Sequence, residues 1–279
     1  MIVNVKEIVE NKKKELIEKV KKLNEKNVYP KLAIIKASDD KASDIYIGKK
    51  RNLCKEIGIL EEEYIFDENV TNEDVINTIK KLNSDEKVHG ILVQLPLFKF
   101  LDEKKVLDAL DPNKDVDGLT KMNFGKLAVG EKSIIPCTPK GILTILESLN
   151  EDISGKNVTV VGRSILVGKP MSMLMLKEGA TVTTCHSKTK DLKEHTKNAD
   201  ILIVAVGKPA LITKDMVKKG ATVIDVGITR TEDGIKGDVD AKEVDKVAKF
   251  VTPVPGGVGL TTVLSLMQNV IEIAENCWN

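Results

Sequence analysis

The chain has 279 residues, 42% of them hydrophobic, with 43 lysines and arginines set against 42 aspartates and glutamates. A charge balance this close to zero excludes a nucleic-acid binder that works by bulk counterion release, and the apolar fraction excludes a disordered chain. The longest apolar runs are strand-sized, far short of the ~20 residues a membrane span requires.

The N-terminus mixes lysine and glutamate and reads as lacking a signal segment. Four scattered cysteines (Cys54, Cys137, Cys185 and Cys277) form no C-x-x-C pair, which argues against a disulfide framework or a zinc ribbon. The expectation is a soluble, cytoplasmic protein of one large or two ordinary domains.

Residues 5–26 place Val5, Ile8, Val9, Leu16, Val20 and Leu23 at helical spacing with Lys and Glu between them, the pattern of an amphipathic surface helix. A strand follows at 31–36, then a helix over 43–57 closed by Gly58. The alternation repeats, with a strand at 63–66, a helix at 72–82 and a strand at 88–95 that ends on Pro96. Strands alternating with helices of ~10–15 residues predict βαβ units and a mainly parallel sheet. Residues 111–139, with Gly, Pro, Asn and Asp throughout, read as a long irregular stretch, and loops of that length are often functional.

A second series opens near residue 153, with β-branched strand candidates at 157–161, 180–185, 201–206 and 222–226. Strands this uniformly apolar suit a parallel sheet covered on both faces. After Pro253-Val254-Pro255-Gly256-Gly257, a last helix runs over 261–275. The predicted fold class is α/β, with two α/β domains meeting at a cleft and the last helix returning to the first.

The second series opens on a buried strand that runs into Gly162-Arg163-Ser164-Ile165-Leu166-Val167-Gly168-Lys169-Pro170. Glycines between a strand and a helix N-terminus marked by Pro170 let a pyrophosphate lie over free backbone N–H groups. The spacing is not the full G-x-G-x-x-G, so a plain strand–turn–helix corner stands as the competing reading. The next strand ends Cys185-His186-Ser187-Lys188, without the acidic residue that would accept bonds from a ribose 2′-hydroxyl. Ser187 and a nearby cation such as Arg163 suit a 2′-phosphate, which favours NADP over NAD. His186, His89 and His195 read as ordinary polar residues, and no cluster has metal-ligand spacing.

In the first half, Tyr46 and Lys50 stand at i, i+4 on one face of a predicted helix. Gln94 ends a strand, and Asp117 sits in the loop Asp115-Val116-Asp117-Gly118. The C-terminal ends of parallel strands are where α/β sheets place ligands, but each feature alone has an ordinary explanation, since Asp-Gly is a turn signal.

Read together, Ser43-x-x-Tyr46-x-x-x-Lys50, the run from Gly90 through Gln94-Leu95-Pro96-Leu97, Lys114-Asp115-Val116-Asp117-Gly118, Pro136-Cys137-Thr138-Pro139-x-Gly141, and the Gly162–Pro170 turn resemble the bifunctional methylenetetrahydrofolate dehydrogenase/cyclohydrolase (FolD) family. Asp225-Val226-Gly227-Ile228 and Thr252-Pro253-Val254-Pro255-Gly256-Gly257-Val258-Gly259 extend the match in the family's order. Phe98, Thr120-Lys121 and Leu260 depart from the family's usual residues, departures that by the resemblance bear on the detailed shape of the folate pocket, mainly its rim.

The resemblance implies a folate-binding catalytic domain over 1–145, a Rossmann-type NADP domain over 146–260, and a terminal segment, 261–279, packed back on the first domain. It implies oxidation of 5,10-methylenetetrahydrofolate and hydrolysis of the methenyl product to 10-formyltetrahydrofolate, within one-carbon metabolism and purine biosynthesis. Lys50 would be the base, Gln94 would hold its amine, Tyr46 would offer a ring face to the folate, and Asp117 would accept the pterin's N–H groups. Gly162, Arg163 and Ser164 would meet the pyrophosphate, Ser187 the 2′-phosphate, and Ile228 the nicotinamide half. The family also implies a homodimer.

Cys137 reads as a small buried residue rather than a nucleophile. The rival readings are a monofunctional dehydrogenase, a shikimate-dehydrogenase-like NADP oxidoreductase, and a nucleotide-sensing module. Lys50 and Gln94 argue against the first, Gln94 and Asp117 with the Pro255-Gly256-Gly257-Val258-Gly259 segment against the second, and the presence of Lys50 and Asp117 against the third.

Overall fold

The computed structural model describes residues 1–275; residues 276–279, into which the expectation for 261–279 extends and which include Cys277, lie outside the described residues. The chain divides into two compact units. One comprises Asn11–Cys137 with the chain from Val263 onward, and the other comprises Met1–Glu10 with Thr138–Thr262.

The first unit follows α1 (Val5–Glu25) with β1 (Lys31–Lys36), α2 (Lys41–Ile57), β2 (Leu60–Ile65), α3 (Asn72–Ser84), β3 (Gly90–Gln94), α4 (Glu103–Asp108) and α5 (Lys121–Ala128). Its sheet is parallel in the order β2-β1-β3. Central β1 is almost wholly buried, while β2 lies at the edge and carries Glu61, Glu62 and Glu63. That charge is why sequence periodicity locates the strand only from Glu63; an edge strand needs no continuous apolar run.

Helix α3 starts where Thr71 and Asp74 form a reciprocal capping box, and it buries Val75, Ile79 and Leu82 at intervals of three and four. The stretch 111–139, expected to be irregular, contains α5. There Thr120 Oγ1 accepts from the Asn123 N–H, and this cap starts a helix too short to show a periodic pattern.

The second unit runs through α6 (Cys137–Ser148), β4 (Asn157–Val161), α7 (Gly168–Lys177), β5 (Thr181–Cys185), α8 (Leu192–Thr196), β6 (Ile201–Val204), β7 (Thr222–Asp225), β8 (Thr229–Thr231), β9 (Gly234–Lys236), α9 (Ala241–Val244) and β10 (Phe250–Val251), and α10 (Val258–Ala274) follows, belonging to the first unit from Val263 onward. Five strands form a parallel sheet in the order β10-β7-β6-β4-β5. Strands β6 and β7 are buried at every position, as suits strands of a parallel sheet covered on both faces.

The chain places β5 on one side of β4 and β6 on the other, so the strand order reverses beside the C-terminal end of β4, the place where such sheets bind ligands. Two features go beyond the sequence reading. Strands β8 and β9 form a small antiparallel hairpin, and the N-terminus joins the edge at β10, with the Val3 N–H donating to Val251 O at 2.9 Å. Among the described residues, no helix is long and apolar enough to cross a membrane.

Candidate active site

In the first unit, α2 and the C-terminal end of β3 bring two of the expected residues into contact. Lys50 Nζ donates to Gln94 Oε1 at 2.7 Å, and Gln94 Nε2 in turn donates to Leu95 O at 2.8 Å. The second bond fixes which end of the amide faces the lysine. Burial holds the Lys50 amine below the ordinary lysine range, opposed chiefly by the negative charge of Asp117.

The Cys54 thiol is itself pushed up to about 12 by burial, so it is neutral near pH 7. A neutral glutamine can hold an amine without favouring its charged form as a carboxylate partner would. Tyr46, one turn before Lys50, is 37% exposed, with the Lys49 amine 5.5 Å from its ring centre. Lys50, Gln94 and Asp117 are therefore drawn together, while Tyr46 presents its ring outward.

The loop that carries Asp117 is held from several sides. Ile91 N–H donates to Lys114 O at 2.7 Å, which extends the β3 ladder into the loop. Buried Asp115 accepts from Thr120 N–H at 2.8 Å and from Asn123 Nδ2 at 3.0 Å. Gly118 has φ +66°, and a Cβ there would stand 2.8 Å from Pro136 N and 2.9 Å from Ile134 O, so the 134–136 backbone leaves room for glycine alone.

Asn269, fully buried on α10, donates through Nδ2 to Val116 O at 2.8 Å and to Ile135 O at 3.0 Å. The Cys137 thiol donates to the same Val116 carbonyl at 3.3 Å, which gives this cysteine a structural partner. Sequence reasoning missed Asn269; the available signal was the amide pair Gln268-Asn269 within a largely apolar stretch of helix.

In the second unit, the turn between β4 and α7 is built backbone on backbone. Gly162 has φ +135°, and a Cβ there would overlap Ala205 O. A Cβ on Gly168 would overlap the carbonyl of Gly162 and lie 2.7 Å from Arg163 N. Ser164 Oγ accepts from the N–H groups of Val167 at 3.1 Å and Gly168 at 3.4 Å, while Arg163 and Ser164 face solvent. A glycine cradle at the start of a ten-residue helix fits a pyrophosphate.

At the end of β5, Ser187 and Lys188 are exposed with no carboxylate among residues 185–190, which fits a 2′-phosphate. His186 accepts the Lys188 N–H through Nδ1, and His89 accepts the Lys31 N–H the same way, so both serve local backbone. Ile228, 49% exposed, follows β7. Among the described residues, no group of three His, Cys, Asp or Glu is arranged to hold a metal ion.

Comparison with known proteins agrees across the whole chain. The model of the tetrahydrofolate dehydrogenase/cyclohydrolase catalytic domain matches residues 3–117, and that of the family's NAD(P)-binding domain matches residues 136–278. The bifunctional protein FolD of Nautilia profundicola is 48% identical over 276 residues, covering 99% of this chain and 97% of the relative.

Among solved structures, the bifunctional FolD enzyme of Campylobacter jejuni is 42% identical with a TM-score of 0.97, covering 99% of each chain. The Trypanosoma brucei methylenetetrahydrofolate dehydrogenase-cyclohydrolase, complexed with NADP cofactor and inhibitor, is 34% identical with a TM-score of 0.92, over 99% of this chain and 98% of that one. A shikimate dehydrogenase from Aquifex aeolicus, at 14% identity and a TM-score of 0.51 over 89% of this chain and 97% of that one, shares the fold alone. With both halves matched by the two domain models of one family, and with a relative this similar along nearly its whole length, the chain belongs to the tetrahydrofolate dehydrogenase/cyclohydrolase family.

Proposed function

We propose that the protein oxidises 5,10-methylenetetrahydrofolate to the 5,10-methenyl form with NADP⁺ and hydrolyses that product to 10-formyltetrahydrofolate. The observation that carries this reading is the partly buried Lys50 amine, lowered in pKa and held at 2.7 Å by the carbonyl of Gln94. A lysine works as a base only when neutral, and burial moves it toward that state.

Removal of hydride from the bridging methylene leaves a methenyl cation. That positive charge beside Lys50 further favours the neutral amine. Water adds to the methenyl carbon, and Lys50 takes the proton released. The bond from that carbon to N5 then breaks as the hydroxyl proton passes to N5, leaving the formyl group on N10.

Gln94 keeps the lysine lone pair directed at the reacting carbon. Asp117 accepts the pterin's N–H groups, and Tyr46 lies against the flat folate rings. NADP⁺, when bound, supplies the hydride acceptor. Gly162, Arg163 and Ser164 would hold its pyrophosphate, Ser187 would meet its 2′-phosphate, and Ile228 would lie beside the nicotinamide half. The hydride step asks no acid of the protein, only close approach of two carbons.

The assay supplies methylenetetrahydrofolate with NADP⁺ or NAD⁺ in parallel and follows reduced cofactor, the methenyl chromophore and formyl product. NADPH together with formyl product is the expected result. Lys50→Met should abolish methenyl hydrolysis while folate binding persists; hydrolysis at the wild-type rate would remove Lys50 as the base. We further propose a cytoplasmic homodimer that serves purine biosynthesis, and a monomeric mass by light scattering would reject the dimer.

A further inference from the structure

The strand order β10-β7-β6-β4-β5 fixes how a dinucleotide must lie on the second sheet. With its pyrophosphate at the β4 turn and its adenosine half beyond β5, the other half has to extend over the ends of β6 and β7. Two buried aspartates stand in series at those ends.

Asp238, fully buried, accepts through Oδ2 from Val206 N–H at 2.7 Å and Gly207 N–H at 3.0 Å, and through Oδ1 from Lys208 N–H at 2.7 Å. One carboxylate thus gathers three successive N–H groups of the loop that follows β6. Asp225, the last residue of β7, accepts through Oδ1 from Gly227 at 3.0 Å and from the backbone of Asp238 at 2.9 Å, and through Oδ2 from Val239 at 3.0 Å. Its own N–H donates to Thr252 Oγ1 at 2.8 Å. The side chain of Asp225 therefore fixes the backbone of Asp238, whose side chain fixes the 206–208 loop. Asp225 also pins the turn that leads into Ile228.

The packing tolerates nothing larger. A Cβ on Gly227 would overlap the Asp238 carboxylate, and one on Gly237 would overlap that of Asp225. Burial pushes the Asp225 carboxyl up to about 6, and the charge of Asp238 adds to the push. Keeping two carboxylates this close and this dry is unfavourable, so the fold spends stability to hold these loops in one conformation. Neither residue belongs to the cofactor contacts or the base machinery assigned above.

We propose that Asp225 and Asp238 are positioning residues for the nicotinamide half of the cofactor, locking the 206–208 and 226–228 loops while the adenosine half binds independently at β4 and β5. This rests on the NADP reading of the Gly162 turn. Asp238→Asn and Asp225→Asn keep the side chain's shape but set an NH₂ group against a backbone donor.

Three quantities are measured for each: KM for NADP⁺ with kcat, the inhibition constant of 2′,5′-ADP as a probe of the adenosine half, and hydrolysis of supplied methenyltetrahydrofolate. The expected result is a rise of roughly tenfold or more in KM for NADP⁺ with a fall in kcat, the loss of about one charge-assisted hydrogen bond. The 2′,5′-ADP constant and the hydrolysis rate should stay within about twofold of wild type.

Equal weakening of 2′,5′-ADP and NADP⁺ would overturn the proposal, because the aspartates would then only stabilise the unit as a whole. Unchanged NADP⁺ kinetics in both variants would overturn it as well. Failure of the NADP reading itself looks different: wild type would show neither NADP⁺-dependent turnover nor inhibition by 2′,5′-ADP.

Discussion

Replacing Asn269 with leucine removes its hydrogen-bond donors and leaves its bulk almost unchanged. The donors serve Val116 O at 2.8 Å and Ile135 O at 3.0 Å, one on each of the two segments that converge on the Asp117 loop. Each neutral hydrogen bond contributes about 1 kcal/mol net. Buried Val116 then keeps the weak Cys137 thiol donor, an under-satisfied state that costs about another 1 kcal/mol. The sum is about 3 kcal/mol, or roughly a hundredfold in the folding equilibrium.

With a urea slope of about 3 kcal/mol/M, the midpoint of the unit's transition falls by about 1 M. Asn269→Asp should fall further, because a carboxylate oxygen would then face two carbonyls. In kinetics, the leucine variant should raise KM for folate more than it lowers kcat, since Lys50 and Gln94 are untouched. A urea midpoint and a folate KM both equal to wild type would refute the reasoning.

Three further outcomes test other parts of the site. Because burial lowers the Lys50 pKa and the neutral amine is the base, the enzyme-catalysed hydrolysis rate should climb with pH through that lowered pKa, below the usual ~10.4 of lysine, and then level off; a flat profile after subtraction of the uncatalysed rate would exclude a titrating lysine. Gly168→Ala forces a Cβ into the carbonyl of Gly162, so it should weaken NADP⁺ binding by at least about tenfold while methenyl hydrolysis continues, and isothermal titration with NADP⁺ checks this. Ser187→Asp sets a carboxylate against the 2′-phosphate; the ratio of kcat/KM for NADP⁺ to that for NAD⁺ should drop by roughly tenfold or more, and an unchanged ratio would move the 2′-phosphate away from β5.

The parts that could be read from sequence are those where one residue type has one structural use. The apolar strands at 31–36, 157–161 and 201–204 announce a buried parallel sheet, and the glycines of the β4 turn announce a close backbone approach. Lys50 and Gln94 belong to quoted motifs, though only the fold shows that their side chains meet.

What was hidden depends on inward-turned polar groups. Asp238 lies in a charged, glycine-containing stretch that reads as surface, yet it is fully buried because three N–H groups converge on it. Asn269 looks like an interruption of an apolar helix until its two carbonyl partners are located 153 and 134 positions earlier in the chain. Helix α5 escaped, and the first half of strand β2 with it, for a related reason: a cap and an edge position sustain them, and neither leaves a full periodic pattern.

The division of the chain bears on how the protein is made. Asn11–Cys137 supplies the three strands of the first sheet, but α10, which belongs with them from Val263 onward, leaves the ribosome only after the intervening Thr138–Thr262. Val270 stands 3.2 Å from where a Gly90 Cβ would lie on β3, and Met267 Sδ receives the Cys54 thiol at 3.4 Å. Translation of the intervening Thr138–Thr262 takes roughly 6–25 s at ~5–20 residues per second. Throughout that interval the nascent sheet exposes the apolar face that α10 will cover, a natural substrate for a holdase chaperone. Synonymous codons that slow this stretch should lower the soluble yield without altering a single residue.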